Sequence, residues 1–237
     1  VQYLKGVLFG PPKTGKTVAA CSGTGRKLLV LTEPEGDLSL AGRTDVDVVR
    51  PTSWKELNEV IAALHTTHRD RWQTVIFDSV TFLFELVGAK DILSQAMANK
   101  DVRRSYLNAG AAVNQLIHDA VMLPMNVIFT CQLRIDTPDE EAGETPMDPT
   151  VGEYNWTLAI TPMVYKVLAP AVSFIGRTYK KFTYVGETTK RKVAEYWVSF
   201  EDFGKSPAGA RIPVPEQVKD LDMDELLAAV HDNGRSS

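Results

Sequence analysis

Through its first 130 residues the chain carries mainly apolar runs rather than alternating ones. They cover residues 3–9 (YLKGVLF), 27–32 (KLLVLT), a shorter stretch at 44–49, 74–77 (TVIF) and 126–130 (NVIFT). Runs of this length, bounded by turn residues, predict strands buried on both faces. Helical patterns lie between them. Trp54, Leu57, Ile61 and Leu64 fall on one helix face, behind a capping box of Ser53 and Glu56. A longer helical region spans 79–123, with a break at 99–104. Strands separated by helices at this spacing predict a mostly parallel twisted sheet with helices on both faces.

The remainder reads differently. Residues 136–160 are rich in Pro, Gly, Asp and Glu and have little periodicity, which predicts a long mobile loop. The apolar stretch 164–175 predicts a strand. Residues 181–185 and 193–200 alternate around GETTKRK, so the sheet is expected to end in an antiparallel hairpin. Asp222 and Glu225 announce a last helix over 221–230, within a C-terminal segment of helix and tail over 213–237. No repeat or linker divides the chain, and residues 1–237 are expected to form one α/β domain.

Composition narrows the field modestly. The net charge of −4 excludes a general polycation, so any nucleic-acid contact must come from a local patch. Two cysteines in apolar surroundings fit free thiols and a reducing compartment. No apolar run reaches membrane-spanning length and no secretory signal is visible, so a cytoplasmic protein without a membrane partner is expected. The chain opens on Val1, close to the first strand, as a trimmed chain would.

The most specific chemistry follows the first strand. GPPKTGKT, from Gly10 to Thr17, fits the phosphate-binding pattern G-x-x-x-x-G-K-[ST], and the small residues Val18, Ala19 and Ala20 continue it as a helix. Gly10 and Gly15 let the backbone curl where a Cβ would clash. The amides of Lys13, Thr14, Gly15, Lys16 and Thr17 then point inward as a nest of donors, with Val18 completing the nucleotide-contacting stretch. Pro11 and Pro12 stiffen the loop and donate nothing. The start of the helix adds its positive end. Lys16 is expected to reach the β- and γ-phosphates of ATP, and the Thr17 hydroxyl to ligate Mg²⁺.

Two further groups complete the reading. Asp78 ends the apolar strand TVIFD, where the second metal-side carboxylate of such enzymes belongs, and Ser79 follows it. Hydrolysis also needs a group that orients or deprotonates water. TEPEGD, at the end of the second strand, offers Glu35, with Glu33 as the alternative. Ligands of parallel α/β sheets bind at that edge.

With these residues in view the chain resembles the RecA superfamily. Four landmarks stand in the family's order: GPPKTGKT, PEG after the second strand, VIFDS, and IFTCQLR after a later core strand. The resemblance covers roughly residues 5 to 200. It implies a RecA-like P-loop NTPase core, with Glu35 activating water and Gln132 contacting the γ-phosphate and signalling its presence to a DNA-binding loop. Among relatives, the compact form resembles phage-encoded RecA-like proteins of single-strand annealing or strand exchange. That would imply a DNA-dependent ATPase in the cytoplasm of a bacterial host. Its partners would be single-stranded DNA, further copies of itself in a ring or filament, and an accessory single-strand-binding protein.

The chain also departs from the family. The N-terminal polymerisation segment and C-terminal domain of RecA proper have no counterpart within these 237 residues. The stretch after Gln132 carries Asp136, Asp139, Glu140, Glu141, Glu144 and Asp148, which repel phosphate; only Tyr154 and Trp156 at its far end offer stacking surfaces. Basic candidates for DNA lie elsewhere, at Arg103 and Arg104 in the long helical region and at Arg177, Lys180 and Lys181 before the hairpin tip. Lys190, Lys192, Lys205 and Arg211 are candidates for the cation that the family places in a neighbour's ATP site. The alternative is a nucleotide-switched assembly protein that binds no nucleic acid, suggested by the acidic stretch and the net charge.

Overall fold

The computed structural model describes residues 3–33, 36–83, 86, 102–136, 155–185, 191–201 and 206–233. In chain order these form β1 (Lys5–Gly10), α1 (Lys16–Ala20), β2 (Lys27–Leu31), a 3-10 turn (Gly36–Leu40), β3 (Val46–Val49), α2 (Trp54–His65) and β4 (Thr74–Asp78). A helical turn at 80–83 precedes α3 (Val102–Val121). Then come β5 (Asn126–Asp136), β6 (Asn155–Leu158), α4 (Pro162–Ala171), β7 (Phe174–Val185), β8 (Arg191–Ser199), β9 (Gly209–Ala210), β10 (Gln217–Lys219) and α5 (Met223–Asn233).

The sheet runs β10-β8-β7-β1-β5-β4-β2-β3. Strands β7, β1, β5, β4, β2 and β3 run parallel to one another, whereas β8 is antiparallel to β7 and β10 is antiparallel to β8. Each central strand is apolar on both sides because both sides are covered. Val7, Phe9, Val30, Phe77 and Phe129 join one buried cluster with Leu57 and Ile61 of α2, Leu116 of α3 and Leu168 of α4. Leu8, Leu29, Leu31, Ile76 and Ile128 join a second with Ala20 of α1 and Leu226 of α5. Their alternation in sequence is the period-two alternation of a strand.

The elements also correct the sequence reading. Residues 162–171 are a helix where a strand was expected. Thr161 caps it by accepting from the Val164 amide, Pro162 fits the first turn, and Val164 and Leu168 are buried one turn apart. The capping box of α2 is displaced by one residue. The Ser53 hydroxyl accepts from the Glu56 amide, but the Glu56 carboxylate accepts from Thr52. Within the stretch expected to be a loop, 155–158 form β6, paired antiparallel to the end of β5. Residues 137–154 lie outside the described residues. The hairpin strands are longer than predicted: β7 pairs with β1 only over Phe174–Arg177, then runs on with β8 as a two-stranded ribbon out to Val185.

Gly6 shows how tightly β1 and β7 meet, since a Cβ there would lie 2.1 Å from ring atoms of the buried Phe174. Gly6→Ala is expected to destabilise the protein by about 1–3 kcal/mol through overpacking. Urea unfolding should show this, and Phe174→Leu in the same chain should recover part of the loss. A G6A protein as stable as the original would refute the close packing.

Candidate functional site

The site lies at the C-terminal ends of β1, β2, β4 and β5. It begins with a loop that reverses out of β1 under tight constraint. Lys13 and Gly15 have left-handed backbones, with φ of 62° and 86°. Interleaved left-handed residues turn successive amides to one side, as an anion nest requires. Gly10 has no room for a side chain: a Cβ would lie 2.2 Å from Thr178 Oγ1 and 2.4 Å from the Thr178 carbonyl oxygen. The buried Thr14 hydroxyl donates to the Pro11 carbonyl at 2.8 Å and meets Thr178 Oγ1 at 2.7 Å, so β7 pins the loop from outside. The α1 helix that follows is only five residues long. Its dipole is correspondingly small, and the loop amides rather than the helix end supply most of the positive potential.

Lys16 lies at the centre, with only 6% of its surface exposed. Its ammonium donates to the carbonyls of Gly10 (3.0 Å) and Pro11 (2.9 Å) and to Gln132 Oε1 (3.2 Å). The Gln132 amide in turn donates from Nε2 to Glu33 Oε1 at 2.9 Å, and the Ser79 hydroxyl donates to the same oxygen at 2.5 Å. A lysine only donates and a carboxylate only accepts, so both neighbours agree on one orientation of the Gln132 amide. The Gln132 backbone is fixed by donation to Thr81 Oγ1.

Asp78, also buried, accepts from Thr17 Oγ1 at 2.6 Å and from Thr130 Oγ1. The peptide from Asp78 to Ser79 is cis. Burial pushes the Asp78 carboxyl up from its ordinary range; the Thr130 and Thr17 hydroxyls pull it back, Glu33 raises it further and Lys16 lowers it. Burial lowers the Lys16 ammonium, against the nearby charges of Glu33 and Asp78. Both shifts begin with lost solvation, so a cation beside Asp78 and an anion beside Lys16 would each restore the charged form. Thr17 and Asp78 offer the hard oxygen donors that suit magnesium, which keeps most of its waters. They would hold it directly and through water respectively, where it supplies charge neutralisation to phosphate oxygens.

The structure thus gathers Gly10, Lys13, Thr14, Gly15, Lys16, Thr17, Asp78 and Gln132 at one sheet edge, with Val18 half exposed on α1. Of the two carboxylates after β2, Glu33 touches Gln132 and Ser79, whereas Glu35 lies outside the described residues. Arg103 and Arg104 fall in the first turn of α3, their side chains outside the described residues. Arg177 stacks on Trp156, with its guanidinium carbon 4.0 Å from the ring centroid. Lys180 and Lys181 lie on opposite faces of the ribbon. Among the cation candidates, Lys192 is on the ribbon and Arg211 follows β9, at the end of β7 away from the phosphate loop. Lys190 and Lys205 lie outside the described residues. Burial pushes the Cys21 thiol up to about 12 and Cys131 up as well, so neither is a nucleophile. No helix among the described residues is long and apolar enough to cross a membrane.

Sequence reasoning missed Thr130, Thr178 and Tyr196. Thr130 was readable as a polar residue inside an apolar strand, beside the Asp78 strand. Thr178 and Tyr196 carry no local signal, because only the pairing of β7 with β1 and β8 brings them to the loop.

A nest around a buried lysine, a carboxylate two strands away and a glutamine on the strand between them define a P-loop nucleotide-binding site on a mostly parallel α/β sheet. A family model described as an AAA domain (AAA_24) matches residues 2–211, and the chain belongs to that family. No curated protein matches it. Among solved structures, the flagellar accessory protein FlaH from Methanocaldococcus jannaschii is similar at 12% identity and a TM-score of 0.42, over 91% of this chain and 84% of that one. The RadB recombinase is similar at 17% identity and a TM-score of 0.42, over 82% of this chain and 86% of that one. Likeness at that level carries no argument about function.

Gly10→Ala tests the loop packing, because the contact it meets is partly backbone and cannot swing aside. Its affinity for a fluorescent ATP analogue should fall by about tenfold or more, tenfold being 1.4 kcal/mol. Unchanged affinity in an equilibrium titration would show that the loop has slack.

Proposed function

We propose that the protein hydrolyses ATP and acts on single-stranded DNA, in strand annealing or exchange of the phage recombination type. The observation that carries the ATPase reading is the hydrogen-bonded series Lys16–Gln132–Glu33–Ser79. It joins the group that would hold the γ-phosphate to a carboxylate able to direct water. A water oxygen forms a bond to the γ-phosphorus, the bond to the β–γ bridging oxygen breaks, ADP leaves, and the proton of the water passes to Glu33. Lys16 and the loop amides stabilise the charge on the phosphoryl oxygens. A phosphate drawn against Lys16 competes for the ammonium that Gln132 now holds, so its amide can report whether the nucleotide is present. The DNA half of the reading is supported by the order of the motifs and by the cations on β7. Copies of the chain assembled as a ring or filament, with a neighbour's Lys190, Lys192, Lys205 or Arg211 reaching the ATP, belong to the same reading, as does a cytoplasmic location.

Lys16→Ala should abolish ATP turnover in purified protein. Glu33→Gln should keep nucleotide affinity while hydrolysis falls by about 10²–10⁴-fold, the usual worth of a general base. Turnover retained in E33Q and lost in Glu35→Gln would move the role to Glu35. Full turnover in K16A would overturn the site. A fluorescent-oligonucleotide annealing assay tests the DNA half. Failure to bind or anneal DNA, with ATP turnover intact, would favour a nucleotide-switched assembly protein.

A further inference from the structure

The ribbon of β7 and β8 has one face whose outer part extends beyond the chain's own ATP site. Side chains two apart on a strand share a face, and residues directly opposite in an antiparallel pair share it too. Lys180, Phe182 and Tyr184 of β7 therefore lie beside Tyr196, Ala194 and Lys192 of β8. Among the described residues this face holds no carboxylate. Its aromatics are exposed where strand aromatics ordinarily bury: Phe182 is 54% exposed, Tyr184 66% and Tyr196 41%. The Lys192 ammonium sits 4.1 Å from the Phe182 ring centroid, and that of Lys180 sits 5.0 Å from the Tyr196 ring. The other face differs. There Glu195 pairs with Lys219 at 2.8 Å, and the rings of Tyr179 and Trp197 are partly buried.

We infer that this face is a stacking platform for a single strand of nucleic acid. Exposed rings alternating with ammonium groups match the two repeating features of that ligand, flat bases and a phosphate after each. Residues two apart on a strand are about 7 Å apart, within the reach of successive nucleotides of an extended strand. A base stacks more strongly on an aromatic ring than an exposed ammonium does, so each lysine can leave its ring for a phosphate while a base takes its place. The face binds without regard to sequence, because nothing on it reads a base edge. Its inner end abuts the ATP site, since a Cβ on Gly15 would lie 3.0 Å from the Tyr196 ring.

This inference rests on the single-stranded-DNA partner proposed above, and its test separates the two. Anisotropy of a labelled oligothymidylate is measured with the full chain at two salt concentrations. Phe182→Ala and Tyr184→Ala, both at exposed positions, are each expected to weaken binding about tenfold while the unfolding midpoint holds. Lys192→Gln should weaken binding and lower the salt slope by about one. Unlabelled duplex of the same length should compete at least about tenfold less well than single strand, because its bases are already stacked. If the unaltered protein binds the oligonucleotide and all three variants bind it equally well, the platform is wrong and the DNA partner stands. Equal competition by duplex would also overturn the stacking. Variants that change the oligomeric state in sedimentation and leave DNA affinity alone would make the face a contact between copies, again overturning it. If the unaltered protein binds no oligonucleotide at either salt, platform and DNA partner fall together, and ATP binding is untouched.

Discussion

The arrangement of this protein turns on a buried ammonium. Lys16 is withdrawn from water almost completely, yet its compensation is two loop carbonyls and one amide oxygen rather than a direct ion pair. Moving such a charge out of water costs several kcal/mol unless it is well bonded. The loop must therefore keep the carbonyls of Gly10 and Pro11 turned towards it, and this explains constraints that look unrelated in sequence. Gly10 presses on Thr178, Thr14 is tied to both Pro11 and Thr178, and Lys13 accepts a left-handed backbone. A triphosphate would replace neutral acceptors with charged ones. The same donors that close the loop would then grip the ligand, without rebuilding their surroundings.

Strand order decides what that lysine can sense. β5 lies between β1 and β4, with Gly10 beside Gln132 and Phe77 beside Phe129 in register. This spaces Lys16 and Asp78 across one intervening strand and fills the interval with Thr130 and Gln132, one bonded to each. With β1 and β4 adjacent, lysine and aspartate would neutralise each other and leave little field for phosphate or cation. The separation keeps both charged groups under-solvated, and Glu33, arriving from β2, meets Gln132 on the open side.

Much of this was legible in the sequence because it is local. A motif whose donors lie within eight consecutive residues cannot hide its purpose, and strands buried on both faces announce themselves as continuous apolar runs. Asp78 was found for the same reason, at the end of such a run, whereas Gln132 was singled out by the resemblance to the RecA superfamily. The misreadings share another cause. Residues 162–171 are apolar enough for a strand, and the capping threonine and first-turn proline that make them a helix were outweighed by that composition. The helix dipole was expected to matter, but α1 is too short for it. The choice between Glu33 and Glu35 was open because both lie past the end of β2; the structure brings Glu33 to Gln132 and Ser79, and Glu35 lies outside the described residues. Thr178 and Tyr196 were invisible because their importance depends on pairings between residues far apart in the chain.

Those distant pairings give the fold its remaining property. β7 touches the phosphate loop through Thr178, and β8 approaches it through Tyr196, which lies directly opposite Lys180, two residues beyond Thr178. The ribbon beyond them is a two-stranded extension with no third strand alongside its outer residues among the described ones, so its position depends on how its root is held. A root fastened to the ATP site would carry a shift of the loop into the ribbon, since the two strands are held in one register. By thermodynamic reciprocity, whatever seats on the ribbon and prefers one tilt must alter nucleotide affinity by the same factor that nucleotide alters its own. Coupling of this kind requires no long relay of side chains. Two contacts at the base of one hairpin, Thr178 with Thr14 and Gly10 and Tyr196 beside Gly15, would suffice for it.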